Sequence, residues 1–299
     1  MRRLCLTFTA ALLFPVLTGC LSHTRKLRQV TLAGPVMDAD ALQLVSGVNQ
    51  RNSQINSLTA TVEFTPSVGG VRRGKQTVYT SFTGYILIRK PEMLRVLILV
   101  PVLHTHALDL ASDGKTFTLV IPPKGRAIEG SNAVSERSSN PMENLRPNVF
   151  VDSMLIQSIS SQQIVSIIHE SSTALDPKTK RLVETPEYDL TVLNPPPPNS
   201  APGAIAVAKP LRVIRFSRLT LLPVEQDIYD NNGDLVTQVR YGPYQSFSGT
   251  NFPSTIDINR PLDEYRIHLA ITKLVVNQTL SDEQFHVTVP KGYQIEKLK

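Results

Sequence analysis

Two histidines, one cysteine and a few carboxylates are the side chains of this sequence that could do chemistry. His104 and His106 flank Thr105, so an extended backbone would turn both imidazoles to one face, the start of a metal site. A third ligand would have to come from Asp109 or Asp113, and neither is convincing; two surface histidines is the simpler reading, and no metal is expected. No serine sits in a nucleophile elbow, and neither a phosphate-binding glycine loop nor a dinucleotide fingerprint occurs. No catalytic residue is assigned, and an enzyme is not expected.

Cysteine is the more informative residue. Met1-Arg2-Arg3 gives a positive start, and residues 4–17 form an apolar run that ends in Leu17-Thr18-Gly19-Cys20. That run is shorter than the ~18 residues read as a membrane-spanning helix and fits the core of a secretion signal. The segment resembles the lipobox of bacterial lipoproteins. The resemblance implies cleavage after residue 19, with a diacylglycerol and an N-acyl chain then carried by Cys20; the alternative is an ordinary signal with a chance cysteine. No cofactor beyond that covalent lipid is expected. The only other cysteine, Cys5, lies within the signal, so the remaining chain must fold without a disulfide.

The chain holds 31 basic and 25 acidic residues, a formal charge of +6. Loss of Arg2 and Arg3 would leave +4. Arg25, Lys26 and Arg28 cluster just after Cys20, in a segment (20–37) read as a tether, where each cation is attracted to an anionic membrane surface by ~1 kcal/mol. Modest charge and the absence of tryptophan argue against nucleic acid as a partner.

The elements that would position any site are mostly strands. Asp38 or Asp40 can cap a helix whose apolar residues Ala41, Leu44, Val45, Val48 and Ile55 recur at helical spacing. Strand patterns follow at 59–65, 76–89, 94–100, 107–111, 116–121, 164–169, 188–193, 211–221, 225–229, 235–241, 265–276 and 285–289. Gly69-Gly70 and Asn231-Asn232-Gly233 mark hairpin tips. The interval 141–157, with Leu145, Val149 and Met154 and an interruption at Pro147, reads as one or two short helices. Residues 194–210 hold four consecutive prolines and read as an exposed loop, or else a domain linker. The whole predicts a mainly β, antiparallel fold in one domain from residue 38 to 299, a closed or half-closed barrel being favoured over a sandwich.

Three passages carry a further resemblance. Gly84-Tyr85-Ile86-Leu87-Ile88-Arg89-Lys90-Pro91-Glu92-Met93-Leu94-Arg95 gives strand, basic-proline turn and strand. Leu110-Ala111-Ser112-Asp113-Gly114-Lys115-Thr116-Phe117 gives an Asp-Gly hairpin. Phe285-His286-Val287-Thr288-Val289-Pro290-Lys291-Gly292 gives a closing strand. In this order they resemble the LolA/LolB superfamily of lipoprotein carriers and receptors. The resemblance implies a half-open antiparallel β-barrel with helices over its concave face and an apolar cavity for acyl chains between them. Phe82, Ile86 and Ile88 on the sheet, and Leu145, Val149 and Met154 on the helical interval, are the expected acyl-binding residues. Lys90 stands where the carriers have an arginine that ties the helical lid to the barrel. Val102 and Leu103 stand where the receptors have a protruding, lipid-inserting loop, or are a plain hairpin turn. The expected function is a membrane-anchored protein that binds acyl chains of a lipid or lipoprotein for sorting or transfer in the cell envelope, facing the periplasm from the outer membrane, with envelope transport or assembly proteins as partners. A structural or assembly lipoprotein with the same barrel is the alternative.

Overall fold

The structure, a computed structural model, describes residues 25–27, 29–133, 144–176, 179–195 and 207–298. Cys5 and Cys20, the Pro141 end of the helical interval and most of the proline stretch lie outside them.

Strand β1 (Val30–Leu32) comes first, within the expected tether, and helix α1 (Ala41–Gln54) follows. Of the two candidate caps Asp40 is the one used. Its side chain accepts from the Gln43 backbone N–H at 2.7 Å, and Gln43 Oε1 accepts from the Asp40 N–H at 2.9 Å, a reciprocal capping box. Leu44 and Val48, one turn apart, form the buried stripe of α1.

After α1 come β2 (Ser57–Gly70), β3 (Lys75–Val78), β4 (Phe82–Arg89), β5 (Met93–Leu99), β6 (His106–Ser112), β7 (Thr116–Ile121) and β8 (Arg126–Ser131). Helix α2 (Pro147–Met154) precedes β9 (Ile164–Leu175), β10 (Leu182–Leu193), β11 (Pro210–Ser217), β12 (Pro223–Tyr229) and β13 (Leu235–Tyr241). The chain closes with β14 (Tyr244–Phe247), β15 (Thr250–Pro253), β16 (Thr255–Arg260), β17 (Tyr265–Val276) and β18 (Gln294–Lys297). Pro147 opens α2 rather than interrupting it: at the first helical position the missing N–H costs nothing.

All strands except the β14–β15 pair join one large sheet with β2 near its middle. On one side of β2 the order runs β4, β5, β6, β7, β8, β18, and on the other β17, β16, β13, β12, β11, β10, with β9 and β1 beside β10 and β3 beside β2. Pairing is antiparallel except for β1 with β10 and β18 with β8. The sheet is therefore mixed, and its ends do not pair among the described residues, so the closed-barrel expectation is not met.

Register explains where the core sits. Ala60, Ile86, Val96, Leu110, Leu119 and Ile128 are successive partners across six strands. Side chains of registered partners share a face, and all six are buried on the face that α2 covers. Each large apolar side chain sealed there contributes about 1.5–3 kcal/mol. A second cluster joins Leu44 and Val48 of α1 to Tyr188, Leu190 and Val192 of β10 and Ile214 of β11.

The expected strand at 285–289 is absent. Ser281 and Gln284 form a capping box around a 3-10 turn, Asp282–Phe285, and local capping wins over the alternating pattern. Arg89 lies 5.1 Å from the buried Phe285 ring. Arg95 clamps Asp109 with two bonds of 2.6 Å and donates to the His286 carbonyl at 2.6 Å. The closing strand is β18 instead, a few residues later.

Candidate functional site

Five of the six expected acyl-binding residues are brought together, but in a packed core. Ile86, Ile88, Leu145, Val149 and Met154 belong to one buried cluster; Phe82 packs against it partly exposed. Ile86, Ile88 and Leu145 have no exposed surface. Val149 and Met154 of α2 pack into this core. Only Met154 of the six reaches the cleft described next.

That cleft, of about 450 Å³, has three walls. Its first wall is the end of α1, with Arg51, Asn52 and Ile55; its second is the segment after α2, with Met154, Leu155 and Ile156. The third is the β14–β15 hairpin, with Tyr244, Phe252 and Pro253, and Val276 closes the β17 side. The hairpin leaves the main sheet after β13 at Gly242, where a Cβ would fall 2.0 Å from Thr255 Oγ1 and 3.2 Å from Thr255 Cβ. Ser248 (φ 50°) and Gly249 (φ 87°) make its tip, two positive-φ residues as a tight hairpin turn requires. Tyr244 Oη donates to the Pro223 carbonyl at 3.1 Å and fixes the hairpin against β12.

Asparagines hold the opposite wall. Asn49 exchanges two bonds with the Ile159 backbone, donating to its carbonyl at 3.0 Å and accepting from its N–H at 2.7 Å. Asn52 Nδ2 donates to the Ile156 carbonyl at 2.9 Å. Lys90, on the turn after β4, donates to Asn52 Oδ1 at 2.9 Å and to the Asn52 carbonyl. The lysine thus ties α1 to the sheet, and burial lowers its pKa.

The Pro101-Val102-Leu103 loop joins β5 to β6. Val102 is 89% and Leu103 71% exposed, and Val102 (φ 69°) and His104 (φ 52°) occupy left-handed backbone. For a β-branched residue that conformation is strained, so the loop holds two apolar side chains in water at a conformational cost. His104 and His106 gain no third ligand: the Asp109 carboxylate is taken by Arg95, and among the described residues no group of three metal-ligating side chains comes together.

No family model and no curated protein matches the sequence. Solved structures similar to this one include a LolA superfamily protein from Nitrosomonas europaea (13% identity, TM-score 0.48, covering 81% of this chain and 97% of that one). A DUF1329 family protein from Desulfovibrio piger shows 15% identity and a TM-score of 0.46 over 82% of this chain and 95% of that one. An outer membrane lipoprotein-sorting protein domain from Vibrio parahaemolyticus shows 11% identity and a TM-score of 0.45 over 82% and 97%. The likeness is one of overall shape and assigns no residue and no ligand. Among the described residues no helix is long and apolar enough to cross a membrane.

The hairpin wall was not anticipated from the sequence. Its signal was present: Tyr244 and Phe247, then Ser248-Gly249, then Phe252, aromatics around a Ser-Gly turn. Ile55, by its spacing alone, is the last apolar residue of a helix.

Proposed function

We propose that this chain is a lipid-anchored protein of the bacterial cell envelope that takes an acyl chain of a lipid or lipoprotein into the cleft between α1 and the β14–β15 hairpin. The cleft itself carries the reading. Its volume of about 450 Å³ falls in the usual range for ligand sites, about 300–1,000 Å³, and isoleucines, aromatics and a methionine line it. Each methylene transferred there contributes ~0.8 kcal/mol, so the acyl chain itself needs no polar partner. The reading places the ligand beside the packed core and not inside it.

Cys20 would carry the diacylglycerol and N-acyl chain, and the protein would face the periplasm from the outer membrane. Val102 and Leu103 would then touch the lipid, which relieves the exposure that the strained loop imposes. Envelope transport proteins are the expected partners. Lipids extracted from the purified full chain carrying Cys20→Ser, and analysed by mass spectrometry, test the cleft: a stoichiometric acyl lipid is expected, and an empty extract contradicts it. Palmitate labelling of the native chain that survives Cys20→Ser would remove the anchor.

The second reading is a structural or assembly lipoprotein. Edge strand β9 favours it: twelve residues long and exposed along most of its length, with Ile164, Ile168 and Leu175 open to water. An edge of that length, unpaired among the described residues, is a template for another strand.

A further inference from the structure

The acyl-binding cleft has a polar side as well, and its chemistry is one-sided. Among the described residues that line it Arg51 is the only charged side chain, and none is an aspartate, glutamate or lysine. Arg51 stands exposed in the last turn of α1, and among the described residues no carboxylate pairs with it. Arg51 and the Tyr244 phenol of the hairpin wall both line the cleft.

A second, independent observation lies deeper. Tyr241 also lines the cleft, is buried, and its Oη has no hydrogen-bond partner among the described residues. Buried hydroxyls nearly always find a partner, and a phenol offers a proton to an oxygen. The cleft therefore holds an unmatched cation at its mouth and an unmatched hydroxyl in its wall, between apolar surfaces. The guanidinium favours an anionic oxygen acceptor and repels a cation.

Resting on the acyl reading above, we infer that the cleft selects amphiphiles with an anionic oxygen head, which the Arg51 guanidinium binds at the mouth, over neutral or cationic ones of the same chain length. The head is a carboxylate or a phosphate; a guanidinium suits both, through paired N–H donors.

The test uses the full chain with Cys20→Ser, loaded with the fluorescent apolar probe N-phenylnaphthylamine. Dodecanoate, dodecyl phosphate, 1-dodecanol and dodecyltrimethylammonium are compared as competitors. The two anions are expected to displace the probe at about tenfold lower concentration than the cation, the worth of one charge-assisted hydrogen bond. Arg51→Gln should bring all four to within about twofold of one another, and Arg51→Lys should keep the preference for anions. Dodecyl phosphate competing well and dodecanoate poorly, or the reverse, would assign the head to one acid. Equal competition by all four in the native sequence, or a preference that survives Arg51→Gln, overturns the inference and leaves acyl binding standing. A chain that takes up neither probe nor competitor overturns both.

Discussion

Lys90 and Asn52 join the sheet to the helix: the lysine ammonium donates to the side-chain oxygen of Asn52 at 2.9 Å and to its backbone carbonyl. Asn52 also receives Ser158 Oγ at 3.1 Å and donates to Ile156 at 2.9 Å. One residue thus holds α1 to β4 and to the segment after α2, and it lines the cleft. Asn52→Ala should cost about 2–3 kcal/mol in urea unfolding, since three partners lose their bonds together. It should also speed amide exchange in the last turn of α1. A variant as stable as the native chain would show that the tie carries no load.

Ile86 separates packing from binding. It has no exposed surface and partners Ala60 and Val96 in the core row. Ile86→Ala should destabilise the chain by about 2–5 kcal/mol yet leave acyl-probe affinity unchanged in the fraction that stays folded. Affinity lost in a folded variant would return the ligand to the space beneath α2.

Asp152 of α2 gives a pH test. Burial raises its carboxyl pKa to about 6, with a smaller push from Glu92, against donation by Gln157 and the attraction of Arg212. The unfolded value is about 3.9, so between roughly pH 4 and 6 the native chain binds more protons than the unfolded one. Stability from this group therefore falls as pH rises through that window, and the penalty is complete above it. The stability of Asp152→Asn relative to the native sequence should grow by about 2–3 kcal/mol from pH 4 to pH 7.5, measured by denaturant titration at each pH. A pH-independent difference would mean that the carboxyl titrates normally.

Where local pattern and long-range pairing agreed, the sequence was easy to read. Residues 116–121 and 265–276 are strands β7 and β17 with the expected bounds, because apolar residues recur along each segment between turns. Ile256 and Ile258 of β16 are two apolar residues in a polar stretch, too little to announce a strand until β13 and β17 flank it. The opposite failure came at Phe285, Val287 and Val289, where alternation was clear but no neighbouring strand was there to pair. The expected acyl-binding residues did converge, from β4, α2 and the segment just before α2, because their apolar spacing marks a core. Periodicity says that a face is covered, not whether side chains or a ligand cover it. The cleft was illegible for a different reason: Ile55, Ile156, Phe252 and Val276 come from four distant segments, and the sheet order alone makes them neighbours.

Acyl binding in the cleft is tested most directly by filling it. Thr250 on the hairpin and Val276 at the end of β17 both line it and are partly exposed, so tryptophan at either position can occupy the space from the cleft wall. The measurement is a titration of the full chain with a fluorescent fatty acid, alongside a melting curve for each variant. The expected result is saturable binding by the native sequence, weakened about tenfold or more, ~1.4 kcal/mol, in Thr250→Trp and Val276→Trp proteins that melt close to it. Unchanged affinity in folded variants of both kinds, or no saturable binding by the native sequence, would contradict it.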